Sequence, residues 1–312
     1  MSNTDASIEE PVLVYDRISA NRHTTGLLMA GFIILIGGIV WLILFLWGLS
    51  ASVLPGVLRF VGLILIAYAI IASTRIVLSI AGAHEVTKKE EWEFVRRVEN
   101  LSIGAGLPMP RTWVLEDSAP NAFATGTNPE SSHIVVTRGL LEKLEPIELE
   151  SVLAHELSHI GNYDTRVMTV VTVLVGAIAL ISDFALRATF WGAGKRPSNR
   201  GRNSGAAIVI VLVIMLVVAI LAPIVAQVMR FSVSRRREYL ADASGALLCR
   251  NPDALARALE KIAEDPEPLE AANKATAHLY IYNPLREHKS FFNGLFNTHP
   301  PTEERVRLLR AM

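Results

Sequence analysis

The sequence predicts an α-helical integral membrane protein with about four transmembrane helices and an α+β domain carried in two separated halves. Three observations predict it. First, of 312 residues 51% are hydrophobic and only 19% charged, against about 25% charged in an ordinary soluble domain. Second, the apolar residues fall in four long blocks, each near the roughly 20 residues that cross a bilayer. Third, the stretches between the blocks are charged and periodic, as a folded soluble domain requires. Thirty Lys and Arg balance thirty Asp and Glu. Zero net charge argues against a nucleic-acid partner, and low charge with many apolar residues argues against disorder.

Residues 1–25 read as a polar N-terminal tail and 26–83 as a first transmembrane hairpin. Within it, Gly26 to Gly48 has no charged residue. It starts too late and runs too long for a cleaved signal peptide. Val57 to Ala81 carries Arg59 and Arg75 near its ends, where long side chains snorkel to the interface. Residues 84–166 read as the first half of the soluble domain. Trp92, Phe94, Val95 and Val98 among charges predict a helix over Lys88 to Leu101. Strands are predicted at Thr112 to Leu115, Pro120 to Thr127 and His133 to Thr137, the last two around a turn at Asn128 and Pro129. Pro near the first turn and Gly at the end bound a helix over Pro146 to Gly161.

Residues 167–229 form a second predicted hairpin. Val167 to Leu186 is broken only by Asp183, and Gly205 to Met229 contains Pro223 as a kink. A basic, Gly- and Ser-rich loop at 187–204 joins them. Residues 230–312 complete the soluble domain, with helices over Arg235 to Leu248, Pro252 to Glu264 and Thr302 to Leu309. No internal repeat is visible. The single cysteine, Cys249, forms no internal disulfide and reads as a small buried hydrophobe.

The Pro146 to Gly161 helix contains His155-Glu156-Leu157-Ser158-His159. Residues four apart share a helix face, so two imidazoles can meet one metal ion, with Glu156 reaching a water rather than the ion. Zinc suits such donors and keeps an open position. Taken alone, the pattern is also met by a solvated His pair on a surface helix. Leu153, Leu157 and Ile160 would bury the helix. A third ligand is available after the fourth block, where Glu238 and Asp242 also stand four apart. Asp242 can accept the spare N–H of a ligating imidazole, and the small Ala241 and Ala243 suggest close packing there. A solvated acidic pair beside the Arg235 to Arg237 run is the alternative.

Several motifs recur in order: Pro-Asn-Ala-Phe-Ala-Thr-Gly at 120–126, His-Glu-Leu-Ser-His at 155–159, Asn162 with Asp164, Arg-Glu-Tyr-Leu-Ala-Asp at 237–242, and Thr-His-Pro-Pro at 298–301 followed by Arg305. In these the chain resembles the HtpX-type heat-shock proteases, membrane zinc metalloproteases related to the prenyl-protein CAAX proteases. The resemblance runs from the first apolar block to the C-terminus. It implies a zincin-like metalloprotease domain with one Zn²⁺ held by His155, His159 and Glu238. It implies Glu156 as general base and acid, and Asp242 behind a ligand. Asn121, Ala122, Phe123 and Ala124 would take up substrate in extended form, a β-augmentation. His299 would approach the site to stabilise the oxyanion, or serve as a structural loop residue. Asp164 and Arg305 would give structural support.

The implied function is hydrolysis of peptide bonds in misfolded or damaged membrane proteins during stress. The partners are those substrates and the lipid bilayer, with no nucleic acid; the sequence assigns no oligomeric state. A selective processing peptidase, such as a prenyl-protein protease, and an inactive zinc-stabilised scaffold are the other readings. One ion can join His155 and Glu238 only if both apolar pairs are hairpins. Arg17, Arg22, Lys88, Lys89, Arg96, Arg97, Arg166, Arg230 and Arg235 to Arg237 then lie on the active side. The other side carries Arg187, Lys195, Arg196, Arg200 and Arg202, with Trp47 and Trp191 at its interface. The positive-inside rule places the active site at the cytoplasmic face of the cell membrane, against the dissent of that basic loop.

Overall fold

In the computed structural model of the chain, the structure describes residues 72–173, 235–272, 276–282 and 300–312, with residues 23, 27, 30, 31 and 176 besides. Nearly all of the tail 1–25, most of both predicted hairpins, the loop 187–204 and His299 lie outside the described residues. Among the described residues, no helix is long and apolar enough to cross a membrane.

The chain enters through α1 (Ser73–Ala81), whose Gly82 cap takes the left-handed conformation at φ 73°. A short strand β1 (His84–Glu85) follows, unanticipated from sequence. Helix α2 (Trp92–Ala105) starts four residues later than its periodicity suggests. The Glu90 carboxylate accepts from both the backbone N–H and the hydroxyl of Thr87, and that local turn consumes the residues before Trp92. Strands β2 (Arg111–Leu115), β3 (Ala122–Thr125) and β4 (His133–Thr137) come next, with a 3₁₀ turn at Pro129–Ser131. Thr137 caps a short helix α3 (Arg138–Lys143) that the sequence did not announce: its side chain accepts from Leu140 N–H. Helix α4 is Pro146–Gly161. The second half adds α5 (Arg235–Cys249), α6 (Pro252–Glu264) and α7 (Thr302–Leu309), close to their predicted bounds.

The four strands order as β1-β2-β4-β3, with β2 parallel to β4 and β3 antiparallel to it. Side chains alternate with the period of the strand. Val114, Ala122, Ala124, Ile134 and Val136 face a core made with α2, α4, α6 and α7. Leu115, Phe123 and Val135 face a second core with α1, Met168, Val173, Leu279 and Tyr280. Both faces of the sheet are therefore covered, which is why every residue of β3 is buried.

Residues 164–173 continue as helix into the third apolar block. Its first turns pack on the sheet: the Thr169 hydroxyl lies 2.8 Å from that of Thr125 and accepts from Gly126 N–H. One polar position of this apolar run, Thr169, is thus spent on the end of β3; Thr165, Thr169 and Thr172, at helical spacing, are all buried.

Candidate metal centre

Helix α4 is built to be buried. Pro146 opens it, and Glu145 with Glu148 forms a reciprocal capping box that satisfies two otherwise orphaned backbone donors. Glu148 is itself buried and receives Lys261 Nζ at 2.7 Å from α6. The helix stops at Asn162, after which Tyr163 takes a left-handed φ of 60°. Such a conformation is uncommon for a bulky residue. Here it swings Asp164 back beneath the last helical turn.

Facing α4, helix α5 approaches through its smallest residues. A Cβ on Gly245 would stand 2.9 Å from the backbone N of His155 and 3.0 Å from its Cα. Ala241 is fully buried one turn earlier. Ala243, which the sequence also suggested for close packing, is only half-buried; it lies off the Ala241–Gly245 face. The close approach sets Glu238 and Asp242 against the two histidines.

The result joins the residues that the spacing singled out. One ligand atom each from His155, His159 and Glu238 lies within 4.8 Å of the others, and all three side chains are buried. The two Nε2 atoms are 3.2 Å apart, and His159 Nε2 is 3.5 Å from Glu238 Oε1. Each Nδ1 faces a carboxylate: His155 toward Asp242 Oδ1 at 3.0 Å, His159 toward Asp164 Oδ2 at 3.1 Å. The first pair has ion-pair distance without hydrogen-bond alignment. Carboxylates at both Nδ1 atoms favour protons there, which assigns the Nε2 lone pairs to the centre.

Two imidazole lone pairs and a carboxylate directed at one another repel unless a cation stands between them. Two donors held about 2.0–2.1 Å from a tetrahedral ion would lie about 3.4 Å apart, close to the 3.2 Å seen between the Nε2 atoms. The donor set therefore fits a divalent transition metal.

The electrostatics of the site agree. Burial lowers the pKa of His155 despite Asp242. Burial also works against protonated His159, but Asp164 and Glu238 outweigh it and raise the group to about 9. Such proton affinity marks a place where positive charge is wanted. Burial pushes Glu156 up to about 7, partly offset by the His159 charge, and the Ala124 N–H faces its carboxylate. Burial would raise Asp242 too, but Arg305 holds it down at about 2.

Arg305 is buried. It donates from Nε to Asp242 Oδ2 at 2.8 Å, from Nη2 to Asp242 Oδ1 at 2.6 Å and from Nη1 to the Ile281 carbonyl at 3.2 Å. Asp164 and Arg305, read from sequence as structural support, thus each reach a group at the site. Four residues of the extended segment have separate positions. The Asn121 amide donates to Tyr282 O and accepts from Tyr282 N–H, and the Ala122 carbonyl accepts from Ile281 N–H. Phe123 points to the opposite face, edge-on to Tyr280 with ring centres 4.9 Å apart. Ala124 is the one whose backbone faces Glu156. Sequence reasoning missed Gly245 and the segment 276–282; the only signal for the first was its spacing of three and seven residues from Asp242 and Glu238.

Comparison with known proteins extends well past these residues. The model of peptidase family M48 matches residues 88–312. A protease HtpX homolog of Tropheryma whipplei (strain Twist) is 43% identical over 305 residues, covering 96% of this chain and 99% of that protein. One from Listeria monocytogenes serotype 4a (strain HCC23) is 40% identical over 315 residues, covering 96% of this chain and all of the relative. The crystal structure of S. mikatae Ste24p is similar at 18% identity and a TM-score of 0.47, covering 94% of this chain and 66% of that one. Matched along nearly its whole length to HtpX homologs, and over residues 88–312 to the family model, the chain belongs to peptidase family M48 and is a metalloprotease of the HtpX type.

Proposed function

We propose that the chain is an integral-membrane, zinc-dependent metalloendopeptidase that hydrolyses misfolded or damaged membrane proteins as part of stress-linked quality control. The observation that carries the reading is the buried cluster of His155, His159 and Glu238 with Glu156 one residue along the same helix. His155, His159 and Glu238 would hold the ion, leaving a position open. When bound, zinc supplies a Lewis acid that polarises the scissile carbonyl and makes water nucleophilic near neutral pH.

The protein's own groups do the rest. Glu156 accepts a proton from the attacking water at its carboxylate, and passes it to the nitrogen of the leaving amine. Its burial suits that exchange, because a carboxylate pushed toward neutrality both accepts and returns a proton readily. The Ala124 N–H orients it. Asp242 and Asp164 hold the two imidazoles in the tautomer that leaves Nε2 unprotonated. An extended substrate would run along β3 at Ala124, using backbone bonds that demand no particular side chain. His299 is the candidate to stabilise the oxyanion.

The membrane part of the reading rests on the four apolar blocks. They would form hairpins at 26–83 and 167–229 that tether the soluble halves 84–166 and 230–312 after the 1–25 tail. Basic flanks put the site on the cytoplasmic side of the cell membrane. Substituting Glu156→Gln should leave bound zinc near one per chain, while cleavage of an unfolded membrane substrate falls by about 10²–10⁴-fold. Wild-type cleavage by that variant would refute the role of Glu156. A cysteine placed at Ser198 should label from the outer face of intact cells; labelling only after the inner face is opened would refute the second hairpin.

A further inference from the structure

We infer that Arg305 is a positioning residue for the metal centre: from α7, near the C-terminus, it fixes the carboxylate behind His155 and stands beside Glu238, so metal retention depends on a side chain that touches no metal. The inference rests on the ligand assignment proposed above.

Three observations converge. The Arg305 fork is bidentate on Asp242, and one of the two oxygens it holds, Oδ1, is the one that faces His155 Nδ1 at 3.0 Å. A shift of the guanidinium therefore moves the atom that orients the imidazole. Its third nitrogen, Nη1, lies 3.8 Å from Glu238 Oε2 and donates to the Ile281 carbonyl. The Ile281 N–H in turn donates to the Ala122 carbonyl on β3. One buried planar group thus spans α5, α7 and the segment along the substrate-side strand. A buried ion pair kept for stability alone is a weak device, since well-packed apolar residues do as well. A rigid fork that aligns a carboxylate is something only arginine provides. Lysine offers a point charge in its place.

The charge balance points the same way. Glu156, Glu238, Asp242 and Asp164 are buried acids around one site. With Arg305 pairing Asp242, and Arg237 3.8 Å from Asp164, the outer carboxylates are compensated without drawing on the ion.

The test is metal retention by the full-length protein in detergent, measured as zinc lost to a competing chelator, with the folding transition monitored in parallel. Arg305→Lys should weaken retention about 10–100-fold, the usual effect of losing a partner behind a metal ligand, in a chain whose folding transition falls but that is still folded at the assay temperature. Arg305→Ala should lose as much and recover part of it in millimolar guanidinium but not in methylammonium. Should the Arg305 variants fail to fold, Asp242→Asn keeps size and removes the anion that the fork holds; it must also weaken retention. In the Asp242→Asn background, Arg305→Lys should add little, because both act through one oxygen pair.

Folded Arg305→Lys with wild-type retention, no guanidinium rescue, additive effects of the two substitutions, or unchanged retention in Asp242→Asn would each overturn the inference. The ligand assignment is checked separately by wild type and His155→Ala. A wild type that holds no zinc overturns that assignment and this inference together. A zinc-holding wild type matched by Arg305→Lys overturns only the role of Arg305.

Discussion

The two imidazoles of the site rest on unequal supports. His159 is backed by Asp164, five residues along the chain, through a single left-handed turn at Tyr163. His155 is backed by Asp242, from a helix that follows an interval of more than seventy residues, and Asp242 is clamped by Arg305 from the last helix. The near support meets its cation at longer range, Arg237 at 3.8 Å from Asp164; the far one is a bidentate pair at 2.6 and 2.8 Å. The difference teaches that a site on one helix can be finished in two ways. A local turn needs little cooperation from the fold. A remote clamp makes the metal site and the docking of the second half a single event, so stability and metal binding should be coupled at His155 far more than at His159.

The largest expected effect breaks the remote support. Asp242→Asn leaves buried Arg305 without its anion, and breaking such a pair costs about 3–5 kcal/mol. Thermal unfolding should move accordingly, and zinc retention should fall with it. Retention lost at an unchanged melting temperature would show that clamp and fold are separable, contrary to the comparison.

Next comes the contact that lets α5 reach α4. Alanine at Gly245 gains about 1 kcal/mol of helix propensity. It also drives a methyl into the His155 backbone, which cannot yield as a flexible side chain can. Overpacking of this kind costs about 1–3 kcal/mol, so Gly245→Ala should be destabilised on balance and hold zinc less well. Denaturant titration and chelator competition measure both. A more stable variant would show that the helices separate without harm.

The local support should be gentler. Asp164→Asn keeps a carbonyl oxygen to accept from His159 and weakens the long, 3.8 Å pair with Arg237, so the fold should lose about 1–3 kcal/mol, less than in Asp242→Asn. Zinc retention should still drop about 10-fold. Equal melting losses for Asp164→Asn and Asp242→Asn would erase the asymmetry.

The smallest effect at neutral pH, visible only in acid, uses a histidine with no carboxylate behind it. His133 on β4 packs against Trp113, and its Nδ1 has no hydrogen-bond partner among the described residues. Burial, with Arg111 adding to it, lowers its pKa to about 4. The unfolded chain then binds the extra proton first. Its contribution to stability is full above about pH 6.5 and is lost as pH falls toward 4. His133→Phe should flatten that part of the stability profile, seen in melting temperatures across the window. A profile of unchanged slope would assign the acid loss elsewhere.

How much of this was legible depends on sequence distance. His155, Glu156 and His159 could be read because a helix puts positions four apart on one face whatever surrounds it. Glu238 and Asp242 could be read as a pair for the same reason. Helix bounds near Pro146, Pro252 and Thr302 followed from proline placement and from the run of apolar positions. The start of α2 did not, because the Thr87–Glu90 hydrogen bonds compete locally with the helix. Nor did β1, whose two residues carry no pattern of their own and exist only by pairing with Trp113 and Val114.

By itself, then, the sequence determined the periodic elements, the chemistry of the donor residues and the family resemblance, since all three are written in short-range spacing. Tertiary structure alone decided which carboxylate backs which imidazole. It alone gave Arg305 its place on Asp242, spent Asn121 and Ala122 on the 281–282 segment, and left Ala124 facing Glu156. Those pairings join groups far apart in the chain. Only the packing of α4 against β3 and α5, down to the missing Cβ of Gly245, brings them within reach.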